Sequence, residues 1–190
     1  MTETENKQDI VIVDDHPIVR EGLALLINQS REFRVCGQAA RPSEALQVVG
    51  RTKPALAIID LSLSEGSGLR LIEDLSSRHP DVKLLVVSMH DENLYAERAL
   101  RAGAKGYVMK STAGERVIEA VRCVLAGGIY ISEAIKDHLA RRVAAAPSDK
   151  QGAPLECLSD RELEVMQLVG QGRGTSNIAA SLHISVKTVE

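Results

Sequence analysis

Five short apolar runs, at residues 10–13, 33–35, 55–59, 84–87 and 106–109, recur through the first two-thirds of the chain, each followed by a helix-length amphipathic segment. Strands that alternate with helices pair in parallel, because each crossover carries the chain back to the same edge of the sheet. The intervening patterns are helical. Pro17 suits a first helical position, and Val19, Leu23 and Leu26 then share a face. Pro42 opens a second helix with Ala45, Leu46 and Val49 inward, and Leu71, Ile72 and Leu75 mark a third. Leu94, Ala99 and Leu100 mark a fourth that Gly103 stops, and Val117, Val121, Val124 and Leu125 mark a fifth that ends at Gly127-Gly128. Right-handed crossovers place these helices on both faces of a doubly wound parallel sheet. In such sheets the functional site lies beyond the carboxyl ends of the strands.

The residues at those ends form a chemical set. The first run ends on Asp14 and Asp15, two adjacent carboxylates that repel unless something positive compensates. Asp60 follows the third run, Ser88 the fourth and Lys110 the fifth. Clustered carboxylates offer hard oxygen ligands suited to Mg²⁺. A carboxylate can also act as a nucleophile in aspartyl-phosphate chemistry. Lys110 adds a point charge for an anionic oxygen, and Ser88 a hydroxyl. Together they make a receptor for a phosphoryl group, whose transfer depends on positioning and charge neutralisation. His16, at a helix start, reads as a structural residue, and Asp14 can cap the helix at Pro17.

Residues 132–142 read as a short amphipathic helix, and the Ala-, Pro-, Ser- and Gly-rich stretch at 143–155 as a linker. Beyond it, Ser159 and Glu162 form an S-x-x-E capping box, with Leu158 placed to staple Leu163. Leu163, Met166 and Val169 give that helix an apolar face, and GQGRG (170–174) ends it. Thr175 or Ser176 then caps a second helix with Ile178, Ala179 and Leu182 inward. After the turn His183-Ile184-Ser185, Ser185 caps a third beginning Val186-Lys187-Thr188-Val189. Two helices joined by so tight a turn fit a helix-turn-helix.

The net charge of −3 gives no basic field over the whole chain, so a nucleic-acid role has to come from a local surface. Cys36, Cys123 and Cys157 are odd in number and lack metal-ligand spacing, which suits reduced thiols in a cytoplasmic protein. The polar N-terminus is unlike a signal peptide, and no apolar run reaches the roughly 18 residues of a membrane span.

VIVDDHP (11–17), IIDLSLSEGSGL (58–69), VVSMH (86–90) and RAGAKGYVMKS (101–111) together resemble the receiver domain of bacterial response regulators. The resemblance implies a flavodoxin-like fold with strand order 2-1-3-4-5 and Asp60 as the residue phosphorylated by a partner sensor histidine kinase. It implies Mg²⁺ binding by Asp14, Asp15, Asp60 and the backbone carbonyl of Ser62. It gives Ser88 and Lys110 as phosphoryl contacts, and Ser88 and Tyr107 as switch residues. Many relatives carry Met-Pro where this chain has Leu63-Ser64, which leaves a less rigid loop after Asp60 but removes no ligand. Ser62 and His90 stand where side chains can tune water access to the phosphoryl group.

LSDRELEVMQL (158–168) and HISVKTVE (183–190) resemble the LuxR-type DNA-binding domain of NarL/FixJ response regulators, with a departure at Gly-Thr-Ser-Asn-Ile-Ala (174–179). The domains expected are a disordered tail at 1–8, a receiver at 9–127, a linker helix and flexible linker at 128–155, and an incomplete helix-turn-helix unit at 156–190. DNA contacts would come from Ser185, Val186, Lys187 and Thr188. Only five residues of that third helix are present, and basic residues do not outnumber acidic ones from Leu158 onward. The expectation is therefore a phosphorylation-controlled transcription factor that pairs into a homodimer when phosphorylated, and whose present chain binds DNA weakly or not at all. It is not expected to be an enzyme beyond its own phosphoryl transfer and dephosphorylation. Two other classes compete. A Mg²⁺-dependent phosphatase with an Asp nucleophile would usually carry a second acid at position 62, where this chain has serine. A phosphate-independent DNA-binding or scaffold regulator would not need Asp60, Lys110 and the acidic pair intact.

Overall fold

The computed structural model describes residues 7–144, 158–182 and 184–189. Residues 1–6, 145–157, 183 and 190 lie outside the described residues, and with them most of the linker expected at 143–155 and Cys157. The chain divides into two compact units, Met1–Arg142 and Val143–Glu190.

In the first unit the strands are β1 (Gln8–Val13), β2 (Phe33–Ala39), β3 (Leu56–Ile59), β4 (Lys83–Ser88) and β5 (Gly106–Met109). All neighbours pair in parallel in the order β2-β1-β3-β4-β5, the order expected. The helices are α1 (Pro17–Gln29), α2 (Pro42–Thr52), α3 (Gly68–Arg78), α4 (Glu92–Ala102), α5 (Ala113–Leu125) and α6 (Glu133–Ala144). Successive strand residues point to opposite faces. Ile10, Ile12, Ile58, Leu85 and Val87 thus pack with Leu23 and Ile27 of α1 and with Val117, Val121 and Val124 of α5. The alternate set, Val11, Val13, Ala57, Ile59, Leu84 and Val86, is equally buried and faces the layer of α2, α3 and α4. Each Val, Leu or Ile among them contributes about 1.5–3 kcal/mol by leaving water. Because β1, β3 and β4 are covered on both sides, they read as unbroken apolar runs.

One helix face and one helix cap differ from expectation. On α4 the buried residues are Tyr95, Ala96 and Ala99, while Leu94 and Leu100 flank the face and are half-buried. Spacing alone leaves a rotation of one residue open, and the aromatic side chain settles it by offering the larger area for burial. At α1 the N-cap position is His16, with no side-chain cap; Asp14 Oδ1 instead accepts the His16 backbone N–H at 2.8 Å in a turn of its own. Gly103 ends α4 at a φ of 119°, as its position suggests.

In the second unit the helices are α7 (Asp160–Gly170), α8 (Thr175–Leu182) and α9 (Val186–Val189). The capping box forms: the Ser159 backbone N–H donates to Glu162 Oε2 at 2.7 Å, and the Glu162 N–H donates to Ser159 Oγ at 3.3 Å. Ser185 caps α9, its Oγ accepting the Thr188 N–H at 3.2 Å. Two expectations fail here. Leu163 is buried, but Met166 and Val169 are 50% and 54% exposed. A repeat of three falls behind the 3.6-residue turn at every step, so the stripe drifts off the buried side. The residue before α8 is Gly174, not Thr175 or Ser176; its carbonyl accepts the N–H groups of Asn177 and Ile178, both at 3.0 Å.

Candidate functional site

The parallel sheet brings the strand-end residues to one edge. Asp14 follows β1 and Asp60 follows β3; these strands are neighbours, with Val13 in register with Ile59. Both aspartates are 1% exposed, and Ser88, at the end of β4, is fully buried. Lys110 begins a single 3₁₀ turn after β5, and its Nζ lies 2.7 Å from Asp60 Oδ2 and 2.7 Å from Asp14 Oδ2. One cation therefore bridges two buried carboxylates. Asp15 is less buried; its Oδ2 accepts the backbone N–H of Ser64 at 3.0 Å, tying the end of β1 to the loop after Asp60. His16 Nδ1 lies 2.7 Å from Asp15 Oδ1.

Two further contacts hold this frame, and neither is legible in the sequence. Arg20, one turn into α1, donates from Nη1 to the Asp14 carbonyl oxygen at 2.6 Å. Gly68 starts α3 against the loop: its N–H donates to the Leu61 carbonyl at 3.2 Å, and a Cβ there would meet the Asp60 carbonyl oxygen at 2.4 Å. Only glycine permits that approach.

The charges are set by burial and by one another. Burial pushes the Asp60 carboxyl above the ordinary carboxylate value; Lys110 pulls it down, and Asp14 adds to the rise. Burial alone would depress Lys110, but Asp60 and Asp14 outweigh it and hold the ammonium above its ordinary value. Both partners move up because burial weighs more heavily on the aspartate, the more enclosed side chain.

A residual valence remains. Asp60 Oδ1 is buried without a hydrogen-bond partner among the described residues. One ligand atom from each of Asp14, Asp15, His16 and Asp60 lies within 4.8 Å of the others. The converging carboxylates of Asp14, Asp15 and Asp60 are hard donors of net negative charge, a set that fits a small divalent cation with few protein ligands. Ser62, whose carbonyl is the fourth expected ligand, stands two residues beyond Asp60.

Tyr107 is buried on β5, and its hydroxyl donates to the His90 carbonyl oxygen at 2.9 Å. Ser88 Oγ accepts the His90 backbone N–H at 3.3 Å. Burial raises the Tyr107 phenol well above its ordinary value, so it stays a neutral donor. An open cleft of about 290 Å³, lined by His16, Val19, Met89, Lys110, Ser111 and Ala113, lies beside the acidic cluster. In the second unit, the expected DNA-contacting residues Ser185, Val186, Lys187 and Thr188 are all exposed, at the start of α9.

Comparison with known proteins agrees with this geometry. Residues 10–122 match the family described as response regulator receiver domain, and residues 156–190 match bacterial regulatory proteins, luxR family. The chain is 38% identical over 186 residues to the oxygen regulatory protein NreC of Staphylococcus epidermidis, covering 95% of this chain and 85% of that protein. It is 34% identical to the transcriptional regulatory protein DegU of Brevibacillus brevis, covering 98% and 84% respectively. A LuxR-family two-component response regulator from Aurantimonas sp. SI85-9A1 matches in structure with a TM-score of 0.67 and 31% identity, over 74% of this chain and all of that one. RcsB from Salmonella enterica serovar Typhimurium, solved bound to promoter P1flhDC with the phosphomimetic BeF3-, matches with a TM-score of 0.65 and 25% identity, over 97% of this chain and 87% of that one.

Proposed function

The chain belongs to the response regulators of NarL/FixJ type, a receiver domain joined to a LuxR-type DNA-binding unit, and from that premise we propose that it accepts a phosphoryl group on Asp60 and so controls DNA binding by its second unit. The observation that carries this reading is the pairing at Lys110. The ammonium occupies Asp60 Oδ2 and leaves Oδ1 buried without a hydrogen-bond partner among the described residues. Oδ1 is thus the atom free to attack phosphorus.

The donor is the phosphohistidine of a sensor histidine kinase. As the Oδ1–P bond forms, the N–P bond breaks and the electron pair returns to the imidazole. Asp14, Asp15, Asp60 and the Ser62 carbonyl would hold Mg²⁺, which supplies neutralisation of the phosphoryl charge when bound. Lys110 receives one phosphoryl oxygen and the Ser88 hydroxyl another. Ser88 lets go of the His90 N–H as it turns to the phosphoryl group, and Tyr107 answers the altered β4–α4 loop. The readout is exposure of the second unit, pairing into a homodimer, or both, with Ser185, Val186, Lys187 and Thr188 at the DNA. The capture of RcsB on its promoter with a phosphomimetic supports this coupling.

No helix among the described residues is long and apolar enough to cross a membrane. Cys36 and Cys123 are free thiols. Both facts suit a cytoplasmic partner of the kinase. Position 62 is serine, which cannot serve as the general acid of an Asp-nucleophile phosphatase. The chain is therefore read as a signal acceptor and not as a turnover enzyme.

Intact-mass measurement after incubation with acetyl phosphate tests the reading. One added phosphoryl group is expected with Mg²⁺, none with EDTA, and none for Asp60→Asn. Labelling of Asp60→Asn would refute the assignment.

A further inference from the structure

His90 touches more of the switch apparatus than any reading of the sequence assigns to it. Its Nε2 lies 2.9 Å from Ser62 Oγ, across the gap between the β3–α3 and β4–α4 loops. Its ring stacks on Tyr95 of α4, with centroids 4.4 Å apart and planes at 28°. Its backbone carbonyl accepts the Tyr107 hydroxyl, and its N–H donates to Ser88 Oγ. Ser62 and His90 each stand two residues beyond a residue of the phosphoacceptor site, Asp60 and Ser88 respectively.

These contacts are mechanically linked. An imidazole is a rigid plane, so His90 cannot follow a displaced Ser62 without sliding over Tyr95. Tyr95 is 1% exposed and fixed in the core beneath α4. Close-packed interiors transmit such displacements because no void absorbs them. A phosphoryl group placed on Asp60 adds bulk and charge at the start of the loop that carries Ser62. That displacement reaches α4 through the His90 ring, while the backbone of the same residue reports on Ser88 and Tyr107.

We infer that His90 is a positioning residue that carries the state of the phosphoacceptor loop to α4 through Tyr95, in parallel with the Ser88–Tyr107 path. The inference rests on Asp60 as the phosphorylated residue, but the coupling itself exists without phosphate and is tested first in that state.

Amide hydrogen exchange at residues 93–96 provides the readout, on the full chain and its Ser62→Ala, His90→Phe and doubly substituted forms. His90→Phe keeps an aromatic ring on Tyr95 but cannot bond to Ser62. In EDTA, each single substitution is expected to speed exchange in this turn by roughly fivefold, the net worth of one hydrogen bond. The double variant should add nothing more, because both changes break the same link. Unchanged exchange in Ser62→Ala, or effects that multiply in the double variant, would overturn the inference. With Mg²⁺ and acetyl phosphate, wild type should change its exchange at α4, and His90→Phe should lose most of that change while its mass still shows the added phosphoryl group. A full α4 response in labelled His90→Phe would equally overturn it. Failure of wild type to label would instead remove the Asp60 assignment, and the EDTA comparison would still decide the coupling.

Discussion

Lys110 and Asp60, fifty positions apart in the chain, meet at 2.7 Å between Nζ and Oδ2, and the same ammonium lies 2.7 Å from Asp14 Oδ2. The three groups are nearly enclosed, with side chains 7%, 1% and 2% exposed. Buried ions are tolerable only as a matched set, because each has lost its hydration. The positive charge that the Asp14–Asp15 pair requires is therefore supplied partly by this lysine, from the far end of the first unit.

Removing the lysine should expose that dependence. Lys110→Ala leaves two buried carboxylates facing each other, and loss of one partner of a buried ion set costs about 3–5 kcal/mol. Urea denaturation in EDTA should show a loss of that order. Millimolar Mg²⁺ should return part of it, since a cation bound only by the folded state stabilises that state. A midpoint equal to wild type in EDTA would contradict the bridging role.

Asp60 predicts the opposite sign. Its carboxyl is raised above the ordinary value, chiefly by burial. A raised acid stabilises the folded state while protonated and loses that contribution as pH climbs from the unfolded value through the folded one. At neutral pH without metal, Asp60→Asn should therefore be more stable than wild type. The advantage should shrink as the pH drops toward 3.8, the ordinary value for aspartate. Paired urea titrations across pH in EDTA check this, and an advantage that grows on acidification would count against it.

The sheet and the convergence of Asp14, Asp60, Ser88 and Lys110 were legible because they follow from chain topology. Strand period, crossover handedness and the carboxyl-edge rule need no side-chain detail. What stayed hidden depends on distances between loops. The face drawn through Leu94, Ala99 and Leu100 passes over Tyr95, yet Tyr95 supplies much of the buried side of α4. Arg20 gave no pattern that would aim its guanidinium at the Asp14 carbonyl. The stripe of Leu163, Met166 and Val169 failed because three-residue spacing was read as one face when it precesses around the helix.

Gly68 is a case in which space alone decides. An added methyl would sit 2.4 Å from the Asp60 carbonyl oxygen and 2.5 Å from Leu61 Cα, both backbone atoms that cannot swing aside. Gly68→Ala should cost about 1–3 kcal/mol, the usual range for overpacking. It should also slow acetyl-phosphate labelling, because relief of the clash moves the loop that carries Asp60. A stability loss in urea with wild-type labelling kinetics would show that the strain is absorbed by α3 instead.

The last relationship lies away from the site and ties α5 to the turn before β2. Arg122 Nη2 lies 2.6 Å from Glu32 Oε1, and its Nε lies 3.1 Å from both carboxylate oxygens. The hydrogen bond from Arg122 holds the Glu32 carboxyl below its ordinary value of 4.5, despite an opposing contribution from burial. A depressed acid contributes stability above its unfolded value and loses it as pH falls through the folded one. Glu32→Gln should therefore be less stable than wild type at neutral pH, and the two should converge as the pH falls from 4.5 through the lowered folded value. The pair is exposed, so salt screens it, and 1 M NaCl should narrow the gap at neutral pH. Charge-dependent convergence in both titrations would identify an ion pair. A gap indifferent to pH and salt would assign the loss to packing of the Glu32 stem against α5 instead.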